Sequence, residues 1–341
     1  AMDSSARSVI VVAAPYAGAD RAGWDRDRHA LRDSLAPVLA ATPAAPAGRI
    51  ARYALGTDYH VALRARLEAL AADLRAAGLP AGEVAYVDDR PLAERALAAR
   101  GGLGWIGKNT NLLTHHRAGS WVFLGALLSS AELPTDEPVR TSCGSCTRCL
   151  TGCPTGALIG PQAIDARKCI SYLTIEHPGS FAPWEADAIG DWIFGCDVCQ
   201  EVCPWNVRPQ RPADHPDLRL DPRRADLTLA GLLGLGEEEY RERFNGSAMQ
   251  RARLEGLKRN AAVVMGNTGE ERHVEPLARC LAGEAEPMVR RHAAWALGRI
   301  GTPAARSALE GALGRETDPD VRREVERALE DLAHSLHSGP A

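Results

Sequence analysis

The stretch Cys143–Pro154, CGSCTRCLTGCP, constrains this chain more than any other part of it. Its spacing is C-x2-C-x2-C-x3-C-P. Three thiolates so spaced wrap one [4Fe–4S] cube, and the fourth, turned away at the proline, serves a second. Cys196–Pro204, CDVCQEVCP, echoes the motif with only three cysteines. Aligned from the Cys-Pro ends, Cys203 matches Cys153, Cys199 matches Cys149 and Cys196 matches Cys146, but Ile193 stands where a partner for Cys143 would be. Cys169, in RKCISYL between the two runs, can supply the absent thiolate. The expected sets are therefore Cys143, Cys146, Cys149 and Cys203 for one cluster, and Cys153, Cys169, Cys196 and Cys199 for the other. A single zinc ion would be satisfied by four thiolates and gives no reason for paired Cys-Pro endings. Cys280 stands apart and reads as a buried structural thiol.

Cysteines at ligand spacing, rather than scattered as a disulfide framework, point to a reducing compartment, the cytoplasm. With 341 residues, two or three domains are expected. Hydrophobic residues make up 45% and charged residues 25%, as in ordinary soluble globular chains. No run approaches the ~20 apolar residues of a membrane span. A net charge of −4 excludes a bulk polycation, so contact with nucleic acid requires a local patch. No oligomerisation motif is visible, and a monomer is expected.

Ahead of the cysteines, SVIVVAAP (8–15) reads as a buried strand and Asp58–Ala77 as an amphipathic helix with Val61, Leu63, Leu67, Leu70 and Leu74 inward. Glu83–Asp89 reads as a strand, Pro91–Arg100 as a helix with Pro in its first turn, and Ser120–Ser130 as a strand. Such alternation predicts an α/β domain over 1–137. A ferredoxin-like dicluster module follows over 138–212. In the tail, Asn260–Gly269 matches His292–Gly301 at an offset of 32, as Leu277 matches Leu309 and Leu281 matches Leu313. That period predicts stacked helix pairs, HEAT-like repeats within 213–341.

Segments outside the cysteines carry a resemblance. GRIARYALGTDYH (48–60), YVDDRPLAERALAARGGLGWIGKNTNLL (86–113), IDARKCISYLTIEHPG (164–179) and GCDVCQEVCPWN (195–206) resemble the hallmark segments of epoxyqueuosine reductases. The resemblance covers nearly the whole chain. It implies a cobalamin-dependent enzyme that removes the epoxide oxygen of epoxyqueuosine in tRNA, with cobalamin in the N-terminal domain, two [4Fe–4S] clusters beside it and helical repeats that grip the tRNA. An external electron donor is implied as well. Members usually carry a helix and a strand ahead of the first strand seen here, so the resemblance implies a shortened N-terminus.

Ring opening needs a proton at the departing oxygen. By resemblance the acid is Asp88, with Asp89 as its rival; from the residues alone either carboxylate also reads as a cap ahead of Pro91. Arg52, Tyr53, Asp58, Tyr59 and His60 are implied corrin or substrate contacts. Asp58-Tyr59-His60 begins like a D-x-H-x-x-G cobalt-ligand motif but has Leu63 in place of the glycine, so His60 is not expected as an axial ligand. GGLGWIGKN (101–109) is expected to be a glycine loop that lets backbone approach a flat ligand, with Lys108 and Asn109 at the ligand's polar edge. In the repeats, Arg251, Arg253, Lys258, Arg259, Arg290, Arg291, Arg299, Arg322 and Arg323 could form one basic ridge for phosphates, or a salt-bridged surface. Two other functions share parts of this pattern. A reductive dehalogenase-like enzyme also joins cobalamin to two clusters, and a non-catalytic carrier would hold clusters without a corrin.

Overall fold

The structure is a computed structural model, and it describes residues 5–16, 48–114, 118–207, 221 and 227–337. The first strand, β1 (Ser8–Pro15), is followed by β2 (Arg49–Ile50), α1 (Tyr59–Ala76), β3 (Ala81–Tyr86), α2 (Glu94–Arg100), the hairpin β4 (Gly104–Ile106) and β5 (Leu112–Thr114), and β6 (Val122–Ser129). β6 is the centre of a sheet with order β1-β6-β3, and both of its neighbours run antiparallel to it. Its residues are almost all buried because neighbours cover both edges and α1 covers a face. Gly125 permits that approach: a Cβ there would stand 2.7 Å from Leu67 Cδ1. On α1, Leu63, Leu67 and Ala71 are buried, but Val61 is 60% exposed, so the expected apolar face is narrower at its start.

Two sequence expectations shift. The helix read from Pro91 begins at Glu94, because the Leu92 N–H bonds Arg90 O and closes a turn around the proline. The glycine loop is a β-hairpin: Trp105 pairs with Leu113 and Ile106 with Leu112, leaving Lys108 and Asn109 in the connecting turn.

Residues 131–143 carry no helix or strand. The cysteine region then contributes α3 (Arg148–Thr151), β7 (Leu158–Gly160), β8 (Ala163–Ile164), α4 (Ile170–Ile175), α5 (Pro183–Ile189), β9 (Trp192–Phe194), α6 (Val198–Glu201) and α7 (Pro204–Val207). β2 pairs in parallel with β9 and stitches the first unit to this one. The expected boundary at 212/213 lies outside the described residues.

Beyond it come α8 (Leu229–Leu233), α9 (Glu237–Phe244), α10 (Arg253–Thr268), α11 (Val274–Gly283), α12 (Pro287–Ile300), α13 (Pro303–Leu313) and α14 (Pro319–His337). α10 and α12 end at glycines in the left-handed conformation, Gly269 and Gly301, each bonded back to its helix. One continuous apolar core joins Ala51 and Ala54, the 170–194 segment and the helical repeats. Repeat-equivalent positions face the dicluster module. Asn260 Nδ2 donates to Thr174 O and Ile193 O, both at 2.8 Å, and 32 residues on, His292 Nε2 accepts the Phe181 N–H at 3.1 Å. Arg259, buried and stacked on Phe181 at 4.0 Å, donates to His177 O, Gly179 O and Leu173 O.

The basic ridge is resolved by these contacts. Arg259 is interior. Lys258 pairs with Glu284 at 2.5 Å, Arg290 with Glu316 at 2.8 Å, Arg291 with Glu324 at 3.6 Å and Arg322 with Glu326 at 3.1 Å. Arg251 pairs with Glu176, Arg253 with Glu255, Arg299 with Asp187 and Arg323 with Asp320. Glu284 and Glu316, 32 residues apart, neutralise Lys258 and Arg290 at equivalent places, and each of the other cations is ion-paired or interior, as on a salt-bridged surface.

Candidate active site

The eight candidate ligands separate into two groups of four. Cys143, Cys146, Cys149 and Cys203 line one small cavity with Lys108, Arg148 and Trp205. Cys153, Cys169, Cys196 and Cys199 line part of a much larger cavity of about 530 Å³. Burial raises the Cys149 thiol pKa, with the Cys143 and Cys146 sulfurs adding to it; Cys203 rises likewise by burial and by Cys143 and Cys149. Burial, then Cys169, Asp197 and Cys153, push Cys196 up to about 12. None of the eight is in a disulfide, and Cys280 is buried in the helical core, 8% exposed.

Two observations test whether these walls suit clusters. The buried Trp105 indole N–H has no acceptor, yet the ring packs with Cys203 and Cys143. Cluster sulfur is such an acceptor, and hydrogen bonds to it tune the potential. In the second group the Asn111 amide lies 3.9 Å from Cys199 Sγ, and Asn109 donates to Cys199 O at 3.3 Å. Both walls fit the group.

Lys108 is directed at the first cysteine group. Its Nζ donates to Gly144 O at 2.7 Å and to Cys146 O at 2.9 Å, and it does not line the large cavity. Asn109, only 3% exposed, lines both cavities.

The large cavity is walled by Tyr16, Tyr53, Tyr59, Phe123, Leu158 and Ile164, with amides from Asn109, Asn111 and Gln200. A second cavity, at about 630 Å³ somewhat more voluminous still, lies where the three units meet: Asp58 and His60 from the first, Ser171–Glu176 from the cysteine region, and Ser247–Arg251 from the repeats. Tyr53, Tyr59, Asp88 and Ser171 belong to both. Asp88 therefore stands in the shared wall. It lies two residues past the end of β3 with φ +50°, a left-handed backbone that is uncommon outside glycine and concentrated at functional sites.

Asp89 differs. Its carboxylate accepts from Arg64 at 2.7 Å and from the Val87 N–H at 3.1 Å, and it lines neither cavity. Burial raises its pKa, but these two bonds outweigh that and hold it below the usual value. Asp58 caps α1 by accepting the His60 N–H and meets His60 Nδ1 at 2.7 Å, which raises the His60 pKa. Arg52 stands behind the large cavity: its guanidinium lies 4.6 Å over Trp121, and its N–H donates to Asp197 at 2.8 Å. Burial pushes the Asp197 carboxyl up to about 6 despite that bond.

Three parts of the chain match profiles of known families: residues 142–206 a 4Fe-4S double cluster binding domain, 247–330 HEAT repeats, and 2–89 epoxyqueuosine reductase QueG. The epoxyqueuosine reductase of Xanthomonas campestris is 45% identical over 255 residues, 74% of this chain and 70% of that protein. That of Pseudomonas aeruginosa is 44% identical over 253 residues, with the same coverage. The chain belongs to the epoxyqueuosine reductase family. A solved epoxyqueuosine reductase carrying an epoxyqueuosine-modified tRNA-Tyr stem loop superposes with TM-score 0.77 at 29% identity, covering 96% of this chain and 95% of that one. The Bacillus subtilis structure, with TM-score 0.74 at 28% identity over 96% of this chain and 95% of its own, has a catalytic loop swung out of its active site.

Family membership makes the dicluster and repeat units explicit. Sequence reasoning passed over Tyr16, Asn111, Phe123, Asp197 and Gln200 in the large cavity. Asn111 sits two residues beyond Asn109 and had a signal in the same turn; Tyr16 directly follows the first strand, and Phe123 looked only like a strand residue.

Proposed function

We propose that this protein removes the epoxide oxygen of epoxyqueuosine in the anticodon of tRNA, giving queuosine. The balance is two electrons and two protons per epoxide, yielding an alkene and water. The observation that carries the reading is Asp88 in the wall between two cavities, one of them backed by four cysteines.

Cys143, Cys146, Cys149 and Cys203 would hold one [4Fe–4S] cluster; Cys153, Cys169, Cys196 and Cys199 would hold the other, together supplying a one-electron relay. The large cavity suits a corrin: aromatic and aliphatic side chains face a flat macrocycle, amides meet its polar edge, and its size lies in the range of ligand pockets. Bound there, cobalamin would supply a reduced cobalt centre that passes electrons to the epoxide carbon. Tyr53 and Tyr59 would bound that cofactor on the substrate side. The second cavity, lined by Asp58, His60, Glu176 and Arg251, would take the nucleoside turned out of the tRNA loop. Asp88 would hold the proton delivered to the departing oxygen, so that no free alkoxide has to form. Arg52 would keep Trp121 and the Asp197 loop in register behind the site. Lys108 would anchor the first cluster's loop. On this reading the N-terminal unit is an α/β cobalamin domain. The protein works in the cytoplasm as a monomer and takes electrons from an external donor.

Asp88→Asn tests the reading on reconstituted protein with an epoxyqueuosine tRNA stem loop. The turnover rate should fall about 10²–10⁴-fold, the usual contribution of a positioned acid, with iron per chain unchanged. Full activity in that variant would place the acid elsewhere.

A further inference from the structure

We propose that Tyr59 is the positioning residue for Asp88, holding its carboxyl in the wall between the two cavities. This rests on Asp88 being the proton donor.

Asp88 has little else to hold it. It is exposed and sits on a left-handed backbone just beyond the end of a strand. Its N–H donates to Glu94 Oε1 at 3.1 Å, which ties the backbone at one point only and does not orient the side chain. The Tyr59 hydroxyl donates to Asp88 Oδ2 at 2.9 Å. That bond occupies one carboxyl oxygen and leaves Oδ1 for the substrate.

The donor itself is fixed. Tyr59 is the first residue of α1, directly after the Asp58 cap. Its ring stacks on Phe123 of the central strand with centroids 4.5 Å apart and planes within 5°. His60 stacks at 4.1 Å, and Tyr53 meets it edge-on at 6.1 Å. Burial raises the Tyr59 pKa, so the hydroxyl stays protonated and donating. A rigid phenol on a packed ring thus reaches an acid on a strained, exposed loop. The aromatic stack conveys the rigidity of the sheet to a side chain that the sheet does not itself contain.

Tyr59→Phe removes the hydroxyl and keeps the ring. Steady-state kinetics on the tRNA stem loop should show kcat down about 10–100-fold and KM within about twofold, because the lost interaction serves the chemical step. Amide exchange at Asp88–Arg90 should quicken while α1 stays protected, and iron content should not change. A raised KM with kcat intact would make Tyr59 a binding contact and overturn the proposal. Unchanged kcat with unchanged loop exchange would overturn it as well. The exchange measurement does not depend on chemistry. If Asp88→Asn proves active, the acid assignment fails, while faster loop exchange in Tyr59→Phe would still support the latch.

Discussion

At His292 both ring nitrogens are used: Nε2 accepts the Phe181 N–H at 3.1 Å and Nδ1 donates to Met288 O at 2.7 Å. Only the neutral ring can do both, since a protonated Nε2 would face a donor. Burial pushes the pKa down to about 3, and Arg259, Arg291 and His177 around it add to that. The unfolded chain, with a value near 6.5, binds a proton that the native chain refuses. The native state therefore loses stability as pH falls from 6.5 toward 3, by about 1.4 kcal/mol per unit for this one group. His292→Gln keeps an acceptor for Phe181 and does not titrate. Urea midpoints taken from pH 7.5 down to 5.5 should decline less steeply in that variant. Parallel curves would mean that His292 is not held neutral.

Along α10 and α12 the repeat shows in its small residues. A Cβ on Gly266 would stand 2.6 Å from a Trp295 ring carbon and 2.9 Å from Ala296 Cα. At the equivalent Gly298 it would stand 2.7 Å from Ala328 Cβ. Helix propensity favours alanine over glycine by about 1 kcal/mol, whereas overpacking a filled core costs about 1–3 kcal/mol. The crowded atoms include backbone that cannot rotate aside, so the second effect wins. Gly266→Ala should lower the melting temperature of the holo protein, and a rise would show that the helices can separate freely. These helices were legible because their period repeats and their turns end in glycine. The sheet was less so. Alternating strands and helices say nothing about strand direction, and β6, last in sequence, became the antiparallel centre by pairing with two earlier strands. β2 and β9, of two and three residues, fall below any periodic signal, yet their pairing joins two units. The cysteine groups were legible because ligand spacing is local chemistry. Asp88 and Asp89 read alike in the sequence, since only tertiary contacts, Tyr59 for Asp88 and Arg64 for Asp89, distinguish their surroundings.

Across the whole molecule the two cysteine groups have different neighbours, and that difference predicts different consequences of losing each. The first group's cavity is lined from the β4–β5 hairpin, the Cys143–Cys149 loop and the start of α7, and it shares only Asn109 with the large cavity. The second group is part of the large cavity's own wall, together with Tyr16, Tyr59 and Phe123. Two [4Fe–4S] clusters give about eight iron per chain, so Cys203→Ala and Cys199→Ala should each fall toward about four. Cobalamin binding should then separate the two variants. If cobalamin occupies the large cavity as proposed, removing Cys203 leaves its wall intact, so binding should stay within about twofold of the parent while turnover is lost through a broken relay. Removing Cys199, which Asn109 and Asn111 brace, would cost the proposed second cluster and open the cavity wall, so on the same reading cobalamin should bind about tenfold or more weakly, a change of about 1.4 kcal/mol or greater. Fluorescence or absorbance titration with cobalamin under anaerobic conditions measures this without any turnover. Equal affinities in the two variants would mean that the corrin does not rest against the second group, and the large cavity would then need another occupant.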